Sequence, residues 1–280
     1  MSGEVARKLR VVLDRGNSDP AVEIKGLRFR LKDRVGREIQ ILDQMDLNVR
    51  SGEFIAIVGP SGCGKSTLLN FISGLVPAQV GEVSVFGNKV KGVDPSIGYV
   101  FQQHALLPWR NVIRNAEIIL EIKGVPQEER REKAREMLAH MGLEGFDHHY
   151  PGEISGGMRQ RVSLARTLVS DPKLILMDEP FGALDAQTKL LIQEMFLKYW
   201  ERHRKTVIFI THDLAEAVSL ADRVLVMSAR PGRLIAEYNV ELERPRDFSS
   251  LRQNPYFHGL VDQIWRDLKS EAEKSMRGRD

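Results

Sequence analysis

Residues 59–67 read Gly-Pro-Ser-Gly-Cys-Gly-Lys-Ser-Thr and constrain the fold more than any other stretch of the chain. They fit the pattern G-x-x-x-x-G-K-S/T, with Gly59, Gly64, Lys65 and Ser66 at the diagnostic positions. The pattern carries its meaning between a strand and a helix, and both flanks are present. Phe54-Ile55-Ala56-Ile57-Val58 is a short apolar run with β-branched residues, as in a buried parallel strand. Leu68, Leu69, Phe71, Ile72 and Leu75 then recur at helical spacing. The glycines let successive backbone N–H groups face one concavity at a helix N-terminus, where the dipole adds roughly half a positive charge. Gly59, Pro60, Ser61, Gly62, Cys63, Gly64, Lys65, Ser66 and Thr67 are therefore expected to cradle nucleotide phosphates. Lys65 is expected to reach the β- and γ-phosphates, and the Ser66 hydroxyl to hold Mg²⁺.

A chain of 280 residues can bury one sizeable core with a subdomain. The formal net charge of +3 is too small to point to nucleic acid, and no basic block dominates any region. The one cysteine, Cys63, excludes an internal disulfide framework and suits a reducing compartment. No apolar run reaches the ~18 residues of a membrane span. Met1-Ser2-Gly3-Glu4 opens a segment without an apolar signal core. Residues 1–20 read as a flexible leader, although Val5, Leu9, Val12 and Leu13 could share one face of a short helix.

In order, Val22 to Leu31 alternates as a strand of an antiparallel sheet, and Asp33 to Gly36 is a polar turn. Ile39 to Val49 reads as a strand pair broken near Asp43-Gln44, followed by a tight turn at Arg50-Ser51-Gly52-Glu53. Gly81 to Phe86 is a further strand with a turn at Gly87-Asn88, and Ile97 to Phe101 is a strand ending on Gln102. From His104 to about Ser170 the pattern is helical: Pro126 opens a helix with Ala134, Met137, Leu138 and Met141 on one face, and Ser155 can cap another. Leu174 to Met177 is a strand, Gln187 to His203 a long helix, Thr206 to Ile210 a strand, Leu214 to Leu220 a helix and Arg223 to Met227 a strand. Leu234 to Val240 is the final strand. Beyond Arg246, Leu251, Phe257, Leu260, Ile264, Trp265 and Leu268 form an expected docking stripe. Asp147-His148-His149 reads as a loop, since adjacent histidines diverge and no second ligand pair is near in sequence.

Asp178 and Glu179 follow an apolar strand. A carboxylate at the C-terminal end of a parallel strand near a phosphate loop suits Mg²⁺, and an adjacent acid can polarise attacking water. Ser155-Gly156-Gly157 opens a helix and forms a second anion site of the same physical kind as the loop. Two such helix starts with one set of carboxylates suggest that two chains pair, each lending Ser155, Gly156 and Gly157 to the other's nucleotide.

Together these motifs resemble the ATP-binding subunit of an ABC transporter over roughly Val22 to Arg246. Ile154-Ser155-Gly156-Gly157-Met158 resembles the family signature Leu-Ser-Gly-Gly-Gln, with Ile154 for Leu and Met158 for Gln. The resemblance implies that Gln102 approaches Mg²⁺, that Phe181-Gly182-Ala183-Leu184-Asp185 is the D-loop and that His212 approaches the γ-phosphate. It also implies ATP as the nucleotide, with Leu31 or Phe29 at the adenine-stacking position; Phe29 could equally be core. The implied fold is α/β: a P-loop NTPase core of ABC type with an antiparallel β-subdomain and an inserted α-helical subdomain. The implied domains are an ATPase domain over 21–245, its helical subdomain at about 103–170, and a helical extension over 246–280. The residues with assigned tasks are then Lys65, Gln102, Glu179 and His212 for hydrolysis, and Ser66, Gln102 and Asp178 for Mg²⁺.

Val100 to Trp109 and Met227 to Arg233 are similar to the subfamily that imports nitrate, taurine and other sulfonates. This implies a homodimer of ATPase subunits at the cytoplasmic face of the membrane, with integral permease subunits and, indirectly, a solute-binding protein. Leu106, Leu107 and Trp109 could line a groove for a membrane partner or could pack as core. The competing class is a soluble ABC ATPase acting on nucleic acid or ribosomes. The interval between the phosphate loop and Ser155 lacks the long heptad run of DNA-repair members, and the chain has one cassette where ribosome-acting members usually carry two. A nucleotide-binding regulator without hydrolysis conflicts with intact Asp178, Glu179 and His212.

Overall fold

Residues 20–32 and 35–277 are described by a computed structural model. The expected leader over residues 1–20 lies outside them except for Pro20, as do Asp33 and Arg34 of the polar turn. The chain forms two units, one from the residues up to Asp94 together with Thr206 onward, the other from Pro95 to Lys205.

The first unit opens with β1 (Pro20–Lys32) and β2 (Glu38–Arg50), which pair antiparallel. Buried Val22 and Ile24 fall out of phase with buried Leu27 and Phe29, and a register shift between Ile24 and Leu27 restores the face. Gly26, at φ 57°, sits in that bulge. The expected break at Asp43-Gln44 is a second bulge inside one continuous strand: Gln44 at φ 47° absorbs the extra residue. Next come β3 (Phe54–Val58), buried throughout, and α1 (Lys65–Ile72). Leu75 does not join the apolar face of α1. The helix stops at Ile72, Gly74 turns left-handed at φ 76°, and Leu75 is half exposed. β4 (Val80–Val85) and β5 (Asn88–Lys89) complete a sheet of order β2-β1-β4-β5. Their turn falls at Phe86-Gly87, one residue earlier than expected, because both residues take the positive φ (47° and 76°) that a two-residue hairpin needs.

In the second unit β6 (Ile97–Val100) pairs parallel with β7 (Leu174–Asp178). Between them lie α2 (Val112–Ala116), α3 (Ile118–Ile122), α4 (Gln127–His140) and α5 (Gly156–Leu168), and α6 (Ala186–His203) follows. Val162, Leu164, Ala165 and Leu168 of α5 are buried, as are Ala134 and Leu138 of α4; Met137 is only half-buried. Phe101 lies beyond β6 and is exposed.

The chain then returns to the first unit with β8 (Thr206–Ile210), α7 (Leu214–Leu220), β9 (Arg223–Met227), β10 (Leu234–Asn239), α8 (Phe248–Leu251) and α9 (Pro255–Arg277). Within this unit β3 is flanked by β8 and β9, both parallel to it, and β10 pairs antiparallel with β9. Helix α7 packs on β3 and β9, and α9 packs on α7 and β9. Arg246 is buried and donates to the carbonyls of Val218, Ser219 and Ala221, satisfying the end of α7 from the start of the extension. Phe257, Leu260 and Ile264 of α9 are buried; Trp265 is 56% exposed, since it lies about 100° round the helix from Ile264. Ile264 is 0% exposed, so Ile264→Ala should lower unfolding free energy by about 2–4 kcal/mol in denaturant titration. A variant as stable as the parent would mean that this stripe is not buried in solution.

Candidate nucleotide-binding site

The loop from Gly59 to Thr67 follows a strand buried on both faces and opens α1. Gly64 precedes the helix at φ 105°, where a Cβ would lie 2.7 Å from Leu42 Cδ2. At Gly59 a Cβ would lie 3.0 Å from the Met227 carbonyl. Gly64 is thus required by its left-handed backbone, and Gly59 is favoured by its tight approach to the Met227 main chain. Lys65 is buried, and its ammonium donates to the carbonyls of Gly59 (2.9 Å) and Pro60 (3.1 Å), which holds it over the loop. The first turn of α1 carries no acidic residue. Cys63 is buried, and that burial pushes its thiol up despite neighbouring Lys65, so it is a loop residue and not a nucleophile.

His212 is exposed in the first unit, immediately after Thr211 at the end of β8. Asp213 caps α7 by accepting from Ala215 N (3.0 Å) and Glu216 N (3.2 Å), while its own N–H donates to Thr211 Oγ1 (3.0 Å). These bonds on both sides fix the backbone that carries His212.

The second unit brings Gln102, Asp178 and Glu179 together. Asp178 ends β7, and Glu179 follows in the left-handed region at φ 45°, a costly conformation for a residue with a Cβ. The Gln102 amide donates to the Glu179 carboxylate at 3.4 Å.

Ser155 is the N-cap of α5, and its hydroxyl accepts from Met158 N at 3.2 Å; no acid occupies the first turn. The two glycines differ. A Cβ at Gly157 would lie 2.4 Å from Thr188 Cγ2, whereas at Gly156 the nearest atom is an Arg159 nitrogen at 3.8 Å. Packing explains Gly157, and Gly156 leaves the helix start open. Asp185 caps α6 by accepting from Thr188 N (3.0 Å), which holds its carboxyl below the usual range. Phe29 is core: it is 6% exposed and meets Phe71 edge-on at 5.0 Å, so it is not available to stack on a base. Leu31 is 49% exposed.

A family model described as ABC transporter matches residues 42–182. An uncharacterized ABC transporter ATP-binding protein of Methanocaldococcus jannaschii is 48% identical over 242 residues, 86% of this chain and 89% of its own. The chain belongs to the ABC transporter family. Within it the chain is an ATP-binding cassette and an ATPase. The taurine import ATP-binding protein TauB of Escherichia coli is 42% identical over 227 residues, 80% of this chain and 89% of its own. Among solved structures, a dimeric ATP-binding cassette in a post-hydrolysis state, bound to ADP and Pi, is 35% identical. Its TM-score is 0.70, and the match covers 79% of this chain and 100% of that one. The α/β fold of ABC type expected from the motifs is thus the fold of the cassette.

Two contacts of the cassette's motifs escape sequence reasoning. Tyr99 donates a side-chain hydrogen bond to Asp178, and burial together with that carboxylate drives its phenol well above the ordinary range. Its ring also stacks on Phe101 at 4.3 Å. The pairing of β6 with β7 is the signal that could have found it, since Tyr99 stands opposite Leu176, two residues before Asp178. Arg230 lies on the Gly62 carbonyl from 168 residues away in the chain, and no local pattern announces it. If the loop binds phosphate, Lys65→Ala in this cassette should weaken ATP binding at least about tenfold in titration calorimetry, since the buried cation of the loop is lost. Unchanged affinity would remove the loop from phosphate binding.

Proposed function

We propose that the chain is the ATP-hydrolysing subunit of an importer for taurine, another sulfonate, nitrate or a similar small anion. The observation that carries this reading is the identity to taurine import ATP-binding proteins over 80% of the chain. Trp109, 71% exposed, with Phe101 and Tyr150 exposed in the same unit, gives a membrane permease apolar surface to meet. No helix among the described residues is long and apolar enough to cross a membrane. In this reading the cassette sits peripherally, on the cytoplasmic face of the membrane, and a solute-binding protein acts through the permease.

In this reading Lys65 and the amides of Gly59 to Thr67 stabilise phosphate charge, and Ser155, Gly156 and Gly157 present their helix start to the nucleotide of a second copy. Ser66, Gln102 and Asp178 offer Mg²⁺ the all-oxygen donor set that it prefers. The donor chemistry fits, since the Gln102 nitrogen is spent on Glu179 and its oxygen is the atom left to offer. Mg²⁺ supplies neutralisation of phosphate charge. Glu179 takes the proton of the attacking water, Gln102 orients that carboxylate, and His212 hydrogen-bonds the γ-phosphate.

Glu179→Gln should retain ATP binding, lower turnover by about 10²–10⁴-fold and accumulate ATP-bound dimers on size exclusion. Hydrolysis at the parental rate would free Glu179 from this role. The import reading is tested by co-purification with the native permease and by ATPase assays of that complex with binding protein and taurine, an alkanesulfonate or nitrate. One solute should stimulate turnover; purification without any membrane partner, or with nucleic acid or ribosomes instead, would overturn it.

A further inference from the structure

We infer that Arg230 is a positioning residue for the phosphate loop and that Glu271 of the C-terminal helix holds it in place. The inference rests on reading residues 59–67 as the nucleotide phosphate loop. Both Nε and Nη2 of Arg230 donate to the Gly62 carbonyl, at 3.2 and 2.9 Å. Gly62 is at φ 76°, so neither side-chain bulk nor a conventional backbone well fixes the peptide that follows it. That peptide is planar, with its C=O and N–H opposed. Pinning the Gly62 oxygen therefore also fixes the Cys63 N–H, which donates to the Pro60 carbonyl at 3.3 Å and closes the turn of the phosphate loop.

The turn that carries Arg230 is itself braced on the loop. Gly232 donates to the Ile41 carbonyl (2.8 Å) and accepts from Asp43 N (3.1 Å), and a Cβ on it would lie 2.2 Å from the Cys63 carbonyl. Ser228 closes the turn: its hydroxyl accepts from Arg233 N at 2.9 Å, and its N–H donates to the Arg233 carbonyl at 2.9 Å. On the other side, the carboxylate of Glu271, 7% exposed, accepts from Ala229 N at 3.0 Å. Asp267, one turn earlier on α9, accepts from the Tyr238 hydroxyl at 2.5 Å and anchors the helix to β10. A continuous path of short bonds thus runs from the extension through Ala229 and Arg230 to the peptide after Gly62. The extension is part of the nucleotide site's support.

The test measures ATP affinity, steady-state kinetics and nucleotide-free melting temperature for Arg230→Met, Arg230→Lys, Glu271→Gln and the double variant R230M/E271Q, with Lys65→Ala as control. Arg230→Met should raise the Kd for ATP about tenfold, with kcat at saturating ATP falling much less and the melting temperature little changed. Arg230→Lys should recover part of the loss. Glu271→Gln should shift Kd the same way by about threefold, and the double variant should be no worse than Arg230→Met, since both act on one path. Arg230→Met binding within about twofold of the parent while Lys65→Ala loses binding would overturn the proposal and leave the loop reading standing. A loss of affinity that only tracks a lowered melting temperature would overturn it as well. Unchanged binding by Lys65→Ala would remove the loop reading beneath it.

Discussion

Backbone meets backbone around the phosphate loop, and the rest of the first unit is arranged to allow it. A Cβ would lie 2.2 Å from the Cys63 carbonyl at Gly232, 2.7 Å from Leu42 Cδ2 at Gly64 and, more tolerably, 3.0 Å from the Met227 carbonyl at Gly59. The loop is therefore clasped between β2 and the turn after β9. Where the contact is main chain on main chain, as between Gly232 and the Cys63 carbonyl, there is little freedom to relax, because packed backbone cannot change rotamer. This matters for binding phosphate: a nest of amides is an effective anion site only if its N–H groups already point inward, so that no reorganisation is needed when the charge arrives. The buried Lys65, bonded to loop carbonyls, completes that pre-organisation.

The second unit follows the same logic with different materials. Its helix start at Ser155 has no acid in the first turn, as α1 has none. Both ends thus keep the full positive character of a helix N-terminus. Gly157 lets α5 approach Thr188 of α6, whose own start is capped by Asp185. In this way the signature segment and the segment leading out of Asp178 and Glu179 are tied by packing inside one unit. Under the proposed function, a nucleotide bound at Ser155 would act on the very elements that carry the carboxylates.

What could be read from the sequence follows from what was local. Strand β3, the loop and α1 are contiguous, so one window contained the whole argument, and the bounds of β3, β8, α7 and β9 coincide with those expected. The misses are places where a residue's partner is distant or where backbone conformation overrides side-chain type. Leu75 has the right spacing but stands beyond Gly74, whose missing Cβ lets the Gly92 carbonyl approach. Phe86 takes a positive φ that its side chain disfavours, because the hairpin geometry demands it. Phe29 has the chemistry for stacking, yet Phe71 of α1 claims its ring. Spacing alone placed Trp265 beside Ile264, but adjacent positions on a helix diverge. Arg230 sits in a turn with no amphipathic pattern, and its target becomes visible only when the fold brings Gly62 to it.

Glu179 concentrates the same tension at one residue. A left-handed conformation costs a non-glycine residue about 1–2 kcal/mol, and glycine or asparagine would relieve it. Neither could act as a carboxylate base. The chain turns sharply after β7 at Glu179 itself, where the following residues Pro180 and Phe181 leave the strand direction. The strained backbone points the side chain toward Gln102 while Asp178, the last residue of the strand, is held by Tyr99. Two adjacent acids are thereby sent to different partners. Side chains of successive strand residues already diverge, but the turn at Glu179 adds a change of backbone direction that a regular strand could not supply. Under the proposed function the strain serves the task of that carboxylate, and the separation of the two acids is the structural result that the strain produces.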